Sequence, residues 1–402
     1  MTGVVMELQR SSSAVGTRKC PASTAAGVSE LPYRDIDAWF ARNAGQRAEG
    51  AEGSCELAAS LAVFVRENAT PSTSLNYKSE REDDLTPLLD LVGSVVADHG
   101  LLSSALTCLK ILSRKEKNRR SIELGGLKKL AACADFVSNV PSLAAECANV
   151  FLNFCYERRN VSPFVSCHGV GVLSRYLDSV DDLVQANAAG ALQSISFHEE
   201  GRRELRREEG LVSKIVGLLR SETPRVRARS AGALHNLSSD PGTIHAIRVE
   251  GGIAELVRLL KDGDGAVAAS AAGTLQNVSR EVASRSMIRC ASPCHEFHLL
   301  FREPLPQPAK KNQLTCACPS PCFFLRESDA VKHLADLLCC DRVQCQVCAA
   351  GALMNVLGPE ISTHPHSKPR KAFIKLISQC LTLGIIYSAV LDESCSGGRV
   401  VA

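Results

Sequence analysis

Four residues with hydrogen-bonding side chains, Asn153, Ser194, Asn236 and Asn277, return every 41 or 42 residues along this chain, and Asn355 follows 78 residues further on. A carboxamide both donates and accepts, so a recurring Asn can satisfy both halves of successive peptide groups without selecting a side chain. One such Asn would be read as a local helix cap. Recurrence reads instead as a ladder that contributes little to folding. Seven residues before the ladder, two helical turns back on the same face, stand Glu146, Asn187, Arg229, Ser270 and Cys348. Arg225 lies one turn before Arg229, and the pair is the best candidate for an acidic ligand because guanidinium groups engage carboxylates through paired donors. Arg227 falls out of that phase.

Catalytic chemistry finds no such support. The chain has no phosphate loop, nucleophile elbow or metallohydrolase helix, and His235 adjoins Asn236 without an acid or nucleophile in the repeating frame. We therefore expect no catalytic residue, no cofactor and no enzyme activity. Cys290, Cys294, His295, His298, Cys316, Cys318 and Cys322 have the side chains of zinc ligands. Their spacings fit no common finger, and five Pro between 304 and 321 oppose a compact unit, so no metal is assigned.

The elements that must carry these residues follow from repetition. Ala189-Gly190-Ala191-Leu192-Gln193-Ser194-Ile195 has three near-copies, ending Asn236-Leu237, Asn277-Val278 and Asn355-Val356, and two looser copies end on Ile111 and Asn153. The steps from 111 through 153, 194, 236 and 277 are 42, 41, 42 and 41 residues. A period so constant means one supersecondary unit stacked repeatedly. Within a unit, Gly251-Gly252 punctuates the chain, and Ile253, Leu256, Val257 and Leu260 then recur at i, i+3, i+4 and i+7, one apolar helical stripe. After Lys261 to Gly265 breaks that stripe, Val267, Ala271, Thr274, Leu275 and Val278 form the inner face of a longer helix. A short helix over about 243–249 opens the unit. Glycines 125, 126, 169 and 210 precede the middle helix in other copies.

A period near 42 with short, middle and long helices and an A-G-A-L-x-N ending resembles the armadillo family over about residues 83–357. The resemblance implies an all-α, right-handed superhelical solenoid of about six repeats, three helices each. Its third helices would line a groove in which Asn153, Asn236, Asn277 and Asn355, with Ser194 substituted, meet a peptide backbone. Importin-α-like members carry Trp one turn before that Asn. This chain has Asn149, Gly190, Gly232, Gly273 and Gly351 there, closer to vacuolar and plant armadillo scaffolds and to catenins. HEAT arrays lack the Asn-bearing helix, and a ubiquitin-ligase accessory role would bring a U-box, which the N-terminal stretch does not fit.

Composition narrows the partner. Lys plus Arg number 46 against 43 acidic residues, a net charge of +3, too balanced for affinity built on phosphate neutralisation, so a protein or peptide is expected and nucleic acid is not. Eighteen cysteines look like a disulfide framework until placed: Cys108, Cys147, Cys155 and Cys348 fall inside helical patterns, as reduced apolar core residues of a cytoplasmic, or nuclear, protein do. Residues 1–50 read as a disordered N-terminal region with a helix around Ile36 to Ala41, 51–289 as repeats and 327–358 as the last repeat. Residues 290–326 read as a non-repeat insertion: the step from Asn236 to Gly251 is 15 residues, and that from Asn277 to the corresponding Asp329 is 52. A surface loop and a translated intron both fit, the latter because Cys318 to Leu325 is encoded largely by pyrimidine-rich codons. In the tail, 359–402, the apolar run Leu376 to Leu391 follows Lys368, Arg370, Lys371 and Lys375, which would suit a membrane-associated adaptor. Its length falls short of the ~20 residues a spanning helix needs, so a terminal helix packed on the last repeat is the expectation.

Overall fold

The computed structural model describes residues 30–43, 53–290, 329–338 and 340–356, and their regular structure is entirely helical. They divide into two compact units, at Leu237 and Ser238.

The first unit opens with α1 (Tyr33–Arg42) and α2 (Ser54–Asn68). Four triads follow: α3 (Leu75–Lys78), α4 (Thr86–Ser94) and α5 (His99–Leu112); α6 (Glu116–Ser121), α7 (Leu124–Phe136) and α8 (Pro141–Phe154); α9 (Arg158–Ser166), α10 (Gly169–Tyr176) and α11 (Asp182–Ser196); α12 (Glu199–Arg207), α13 (Leu211–Leu218) and α14 (Pro224–Leu237). Like helices stack on like, α2 on α5, α5 on α8, α8 on α11 and α11 on α14, with α4, α7 and α10 forming a parallel row. The second unit holds two triads: α15 (Pro241–Val249), α16 (Gly252–Leu259) and α17 (Gly265–Val278); α18 (Val282–Cys290), α19 (Asp329–Leu337) and α20 (Val343–Val356), with α17 packed on α20 and α16 on α19.

Helix boundaries have local causes. Asp98, Asp181, Asp240 and Asp264 each accept a backbone N–H at the start of α5, α11, α15 and α17, satisfying donors that a first turn leaves free. Gly210 and Gly251 turn the chain between first and middle helices at φ of 70° and 74°. In the third triad that residue is His168, at φ 58°, and Gly169 is already the first residue of α10. Arg119, Arg202 and Arg285, each eight residues past the ladder position, donate to carbonyls at or just past the end of the preceding long helix, where a cation also opposes the helix dipole. On α12, Arg203 pairs with Glu199 and Arg207 with Glu204, so this charge run is an exposed, self-paired first helix.

The core is aliphatic. Leu192, Leu234, Leu275 and Leu353 are fully buried at equivalent places, each contributing roughly 1.5–3 kcal/mol by transfer from water. Cys108, Cys147, Cys155 and Cys348 are buried free thiols within this packing, and burial pushes Cys108 up to about 12 and Cys348 to about 11.

Folded chain begins earlier than composition suggested. Leu31, Ile36 and Trp39 are buried, because α1 lays its apolar face on α2 and α4 and so covers the end of the stack. Beneath it lies a buried ion pair: Lys115 donates to Asp83 at 2.8 Å, and Asp83 also accepts from Asn76 and Asn118.

The zinc-type residues beyond Cys290, the run 376–391 and most of 1–50 lie outside the described residues. Among the described residues no helix is long and apolar enough to cross a membrane, and no cluster of metal-ligand side chains occurs. Helices on either side of 291–328 keep the repeat register, since α18 and α19 pack together and both meet α20. Deletion of residues 290–326 is therefore expected to leave helical content unchanged by circular dichroism and unfolding at least as cooperative. Loss of helix in that variant would mean the segment supports the last triad. Transcripts sequenced across the Arg289 to Glu327 junction distinguish a translated intron from a loop.

Candidate partner-binding face

The long helices bring the ladder residues into register, but the direction of their amides differs from the expectation. Asn153 on α8 donates to the Ser113 hydroxyl at 2.8 Å and to the Lys110 carbonyl at 3.3 Å, both at the end of α5. Asn236 on α14 repeats this with Ser196 at 2.9 Å and the Gln193 carbonyl at 3.5 Å. In the second unit Asn277 donates to Ser238 at 2.9 Å, and Asn355 to Ser279 at 3.0 Å and the Gln276 carbonyl at 3.2 Å. The amide hydrogens that were to grip a partner thus fasten α8 to α5, α14 to α11 and α20 to α17. Replacing Asn236 by Ala is accordingly expected to cost about 1 kcal/mol of stability, in place of the neutral effect read from spacing alone.

The serines expose the rule. They stand two residues past the ladder position, at 113, 196, 238 and 279, and the same place in the second triad is Cys155. The helix stacked on Cys155 is α11, whose ladder residue is Ser194, itself buried. Where the hydroxyl is missing the amide is missing too, as expected if the two residues act as a pair. Cys155→Ser with Ser194→Asn should restore the latch: we expect a coupling of about 1 kcal/mol in a double-mutant cycle read from urea midpoints. Strictly additive single effects would show that the pair does not interact.

The glycines one turn before the ladder permit the close approach of neighbouring long helices. A Cβ added to Gly232 would lie 2.2 Å from Nε2 of Gln193, and one on Gly351 would lie 2.1 Å from Nε2 of Gln276. At Gly190 the intruding atom is Leu152 Cδ1, at 2.5 Å. A side chain from the preceding long helix thus covers the glycine, and an aromatic slot has no space there.

Within the first unit, Arg225 and Arg229 are anchored on α11. Arg225 donates to Asn187 Oδ1 at 3.1 Å and Arg229 to Gln193 Oε1 at 3.2 Å, while Asn187 is itself held by its Nδ2 on the Ala145 carbonyl. Neither guanidinium has a carboxylate partner among the described residues. Burial, and then repulsion from Arg225, lower the Arg229 pKa, so a half-buried cation stands beside the exposed Arg225. The start of α14 adds the positive end of its dipole, with no acid in the first turn to offset it. Arg227 points away, donating to the carbonyls of Ser221 and Glu222. Glu146, by contrast, pairs with Lys110 at 2.7 Å. Ser270 and Cys348 are buried.

Three-helix units stacked like on like, with a polar third-helix face, define the armadillo class of α-solenoid. Solved structures share this fold. The "Designed armadillo repeat protein YIII(Dq)4CqI" superimposes with a TM-score of 0.53 at 19% identity, over 68% of this chain and 100% of that one. The "Designed armadillo repeat protein YIII(Dq.V1)4CPAF in complex with peptide (KR)4" does so with a TM-score of 0.50 at 20% identity, over 68% of this chain and 100% of that chain. In sequence, the "Juxtamembrane domain-associated catenin" of Caenorhabditis elegans is 41% identical over 63 residues, 16% of this chain and 5% of that protein. No family model matches.

Proposed function

We propose that this chain is a non-catalytic, cytoplasmic scaffold that holds an extended segment of a partner protein along its third-helix face, with Arg225 and Arg229 selecting acidic residues. The observation that carries the reading is the pair of anchored guanidiniums with no carboxylate partner among the described residues. Desolvating Arg229 beside a second cation opposes folding, and an incoming carboxylate offsets that cost through charge-assisted hydrogen bonds. A designed armadillo protein that accommodates the basic peptide (KR)4 supports the use of this fold for extended peptides. The cationic pair here favours the opposite ligand charge.

Fluorescence anisotropy with two labelled octapeptides, one of alternating Asp and Glu and one of alternating Lys and Arg, tests the reading on the full chain. The acidic peptide should bind more tightly, and its affinity should fall as salt rises from low to physiological ionic strength. Equal affinity for both peptides would contradict the assigned role of the arginines.

A further inference from the structure

We propose that Cys340 and Cys345 form a modification site, a pair of thiols in the last triad that a hydroperoxide oxidises to a disulfide. Fifteen residues before the ladder residue, the preceding triads carry Ser138, Ser179, Ser221 and Asp262, and ten residues before it Leu143, Val184, Val226 and Val267. Ser179, Ser221 and Asp262 each accept a backbone N–H two residues on, at 3.1, 3.2 and 2.9 Å, which holds the turn before the long helix. The four aliphatic residues are buried. In the last triad both places are cysteine. The turn asks for an oxygen and the core for a branched hydrocarbon, so neither local role calls for sulfur, and the two exceptions fall together.

Folding brings the two thiols to one place. Cys340 lies in the turn between α19 and α20, its carbonyl held by Nε2 of Gln346 at 2.7 Å and its thiol directed at the Arg342 carbonyl at 3.5 Å. Cys345, in the first turn of α20, is buried and donates its thiol hydrogen to the Gly265 carbonyl of α17 at 3.6 Å. The two side chains interact directly. Burial, and then the neighbouring Cys340, push the Cys345 thiol up to about 12, so it stays protonated at neutral pH. Cys340 is partly exposed and therefore meets an oxidant first. Cys133 and Cys147 also touch, on α7 and α8, but both are sealed in the core, out of reach of a dissolved peroxide. With hydrogen peroxide as the oxidant, the Cys340 thiolate attacks one oxygen, an S–O bond forms and the O–O bond breaks. The departing hydroxide takes up the proton lost by Cys340 and leaves as water. The Cys345 sulfur then attacks the Cys340 sulfur, so that S–S forms, S–O breaks, and the Cys345 proton leaves with the oxygen as a second water. Two electrons pass from the two thiols to one peroxide. The Cys345 hydrogen bond to Gly265 is given up in the same step, so oxidation also acts on the joint between α17 and α20.

Peptide mapping of the full chain tests the pair. The chain is treated with hydrogen peroxide until the exposed Cys55 no longer alkylates, the remaining thiols are blocked with iodoacetamide, and trypsin is added without reductant. Cleavage after Arg342 places Cys340 on peptide 333–342 and Cys345 on peptide 343–370. The two peptides should be recovered joined, two hydrogens lighter than their sum, with fragmentation locating the bond at 340 and 345, and dithiothreitol should separate them. Cys340→Ser and Cys345→Val install residues that other triads carry at these places, so each should keep its helical content by circular dichroism and lose the link. Cys348→Ala should retain it. Recovery of the two peptides apart, with Cys340 and Cys345 both alkylated, would overturn the proposal. So would a link that survives Cys340→Ser by way of Cys339.

Discussion

Asp83→Ala is expected to destabilise the start of the array by ~3–5 kcal/mol, the cost of leaving a buried ammonium without its counter-charge. Asp83 is 1% exposed and Lys115 is 7% exposed. Asp83 holds more than the ion pair: Asn118 donates to its carboxylate at 3.0 Å and accepts its backbone N–H at 2.9 Å, and Asn76 donates at 3.1 Å. Removing the carboxylate strips several donors at once. Nearby, Tyr33 on α1 donates its hydroxyl to the Asp84 carbonyl, which ties the terminal helix to the same place. The single Trp of the chain, Trp39, is 3% exposed on α1, so its fluorescence reports this end of the fold. Urea unfolding followed at Trp39 should shift to a lower midpoint in Asp83→Ala. The double variant Asp83→Leu with Lys115→Met should recover most of the loss, because removing both charges removes the desolvation cost as well. An unchanged midpoint in the single variant would show that water reaches Lys115.

Exchanging both Arg225 and Arg229 for Glu is expected to weaken the acidic octapeptide by about 100-fold, since each charge-assisted hydrogen bond is worth roughly 1.5–3 kcal/mol and the new carboxylates repel. Association should slow most at low salt, where screening is least. Arg229→Lys separates charge from geometry. A lysine keeps the cation but loses the planar fork that spans Gln193 and a ligand together, so an intermediate loss is expected. Thermal melts should stay close for all these variants, because neither arginine has a carboxylate partner to lose among the described residues. An affinity that does not respond to charge reversal would place the acidic segment elsewhere on the molecule.

The fold was legible because its strongest signal is periodic. Apolar residues at helical spacing and the ladder at 41 and 42 residues determine three helices per unit, and the stacked triads follow that frame. What the period left unread is pairing across it. Asn236 and Ser196 lie 40 residues apart, and only stacking reveals that one holds the other. A signal was available in the serines at 113, 196, 238 and 279, whose recurrence with the same period, and whose loss together with Asn at Cys155 and Ser194, marks a linked pair. At the glycines the sequence permits close approach between helices but does not name the neighbour that needs it. Their cause is steric, since Gln193 and Gln276 already occupy the space that a Cβ would need. Helix α1 was only partly visible because ten residues carry too few turns for periodicity to outweigh the polar sequence around them. His168 was invisible for a different reason. Nothing in its identity announces a left-handed turn, and only alignment with Gly210 and Gly251 marks the place.

The third-helix face, and not the middle-helix face, is expected to receive the partner segment. Site-specific photocrosslinking measures this directly, with benzoylphenylalanine placed at one exposed apolar residue on each face. Leu183, 48% exposed in the first turn of α11, samples the third-helix face, and Phe136, 61% exposed at the end of α7, samples the middle helices. Irradiation with the labelled acidic octapeptide should give a crosslinked product at position 183 that excess unlabelled peptide removes, and none at 136. A competable crosslink at 136 with none at 183 would contradict the account.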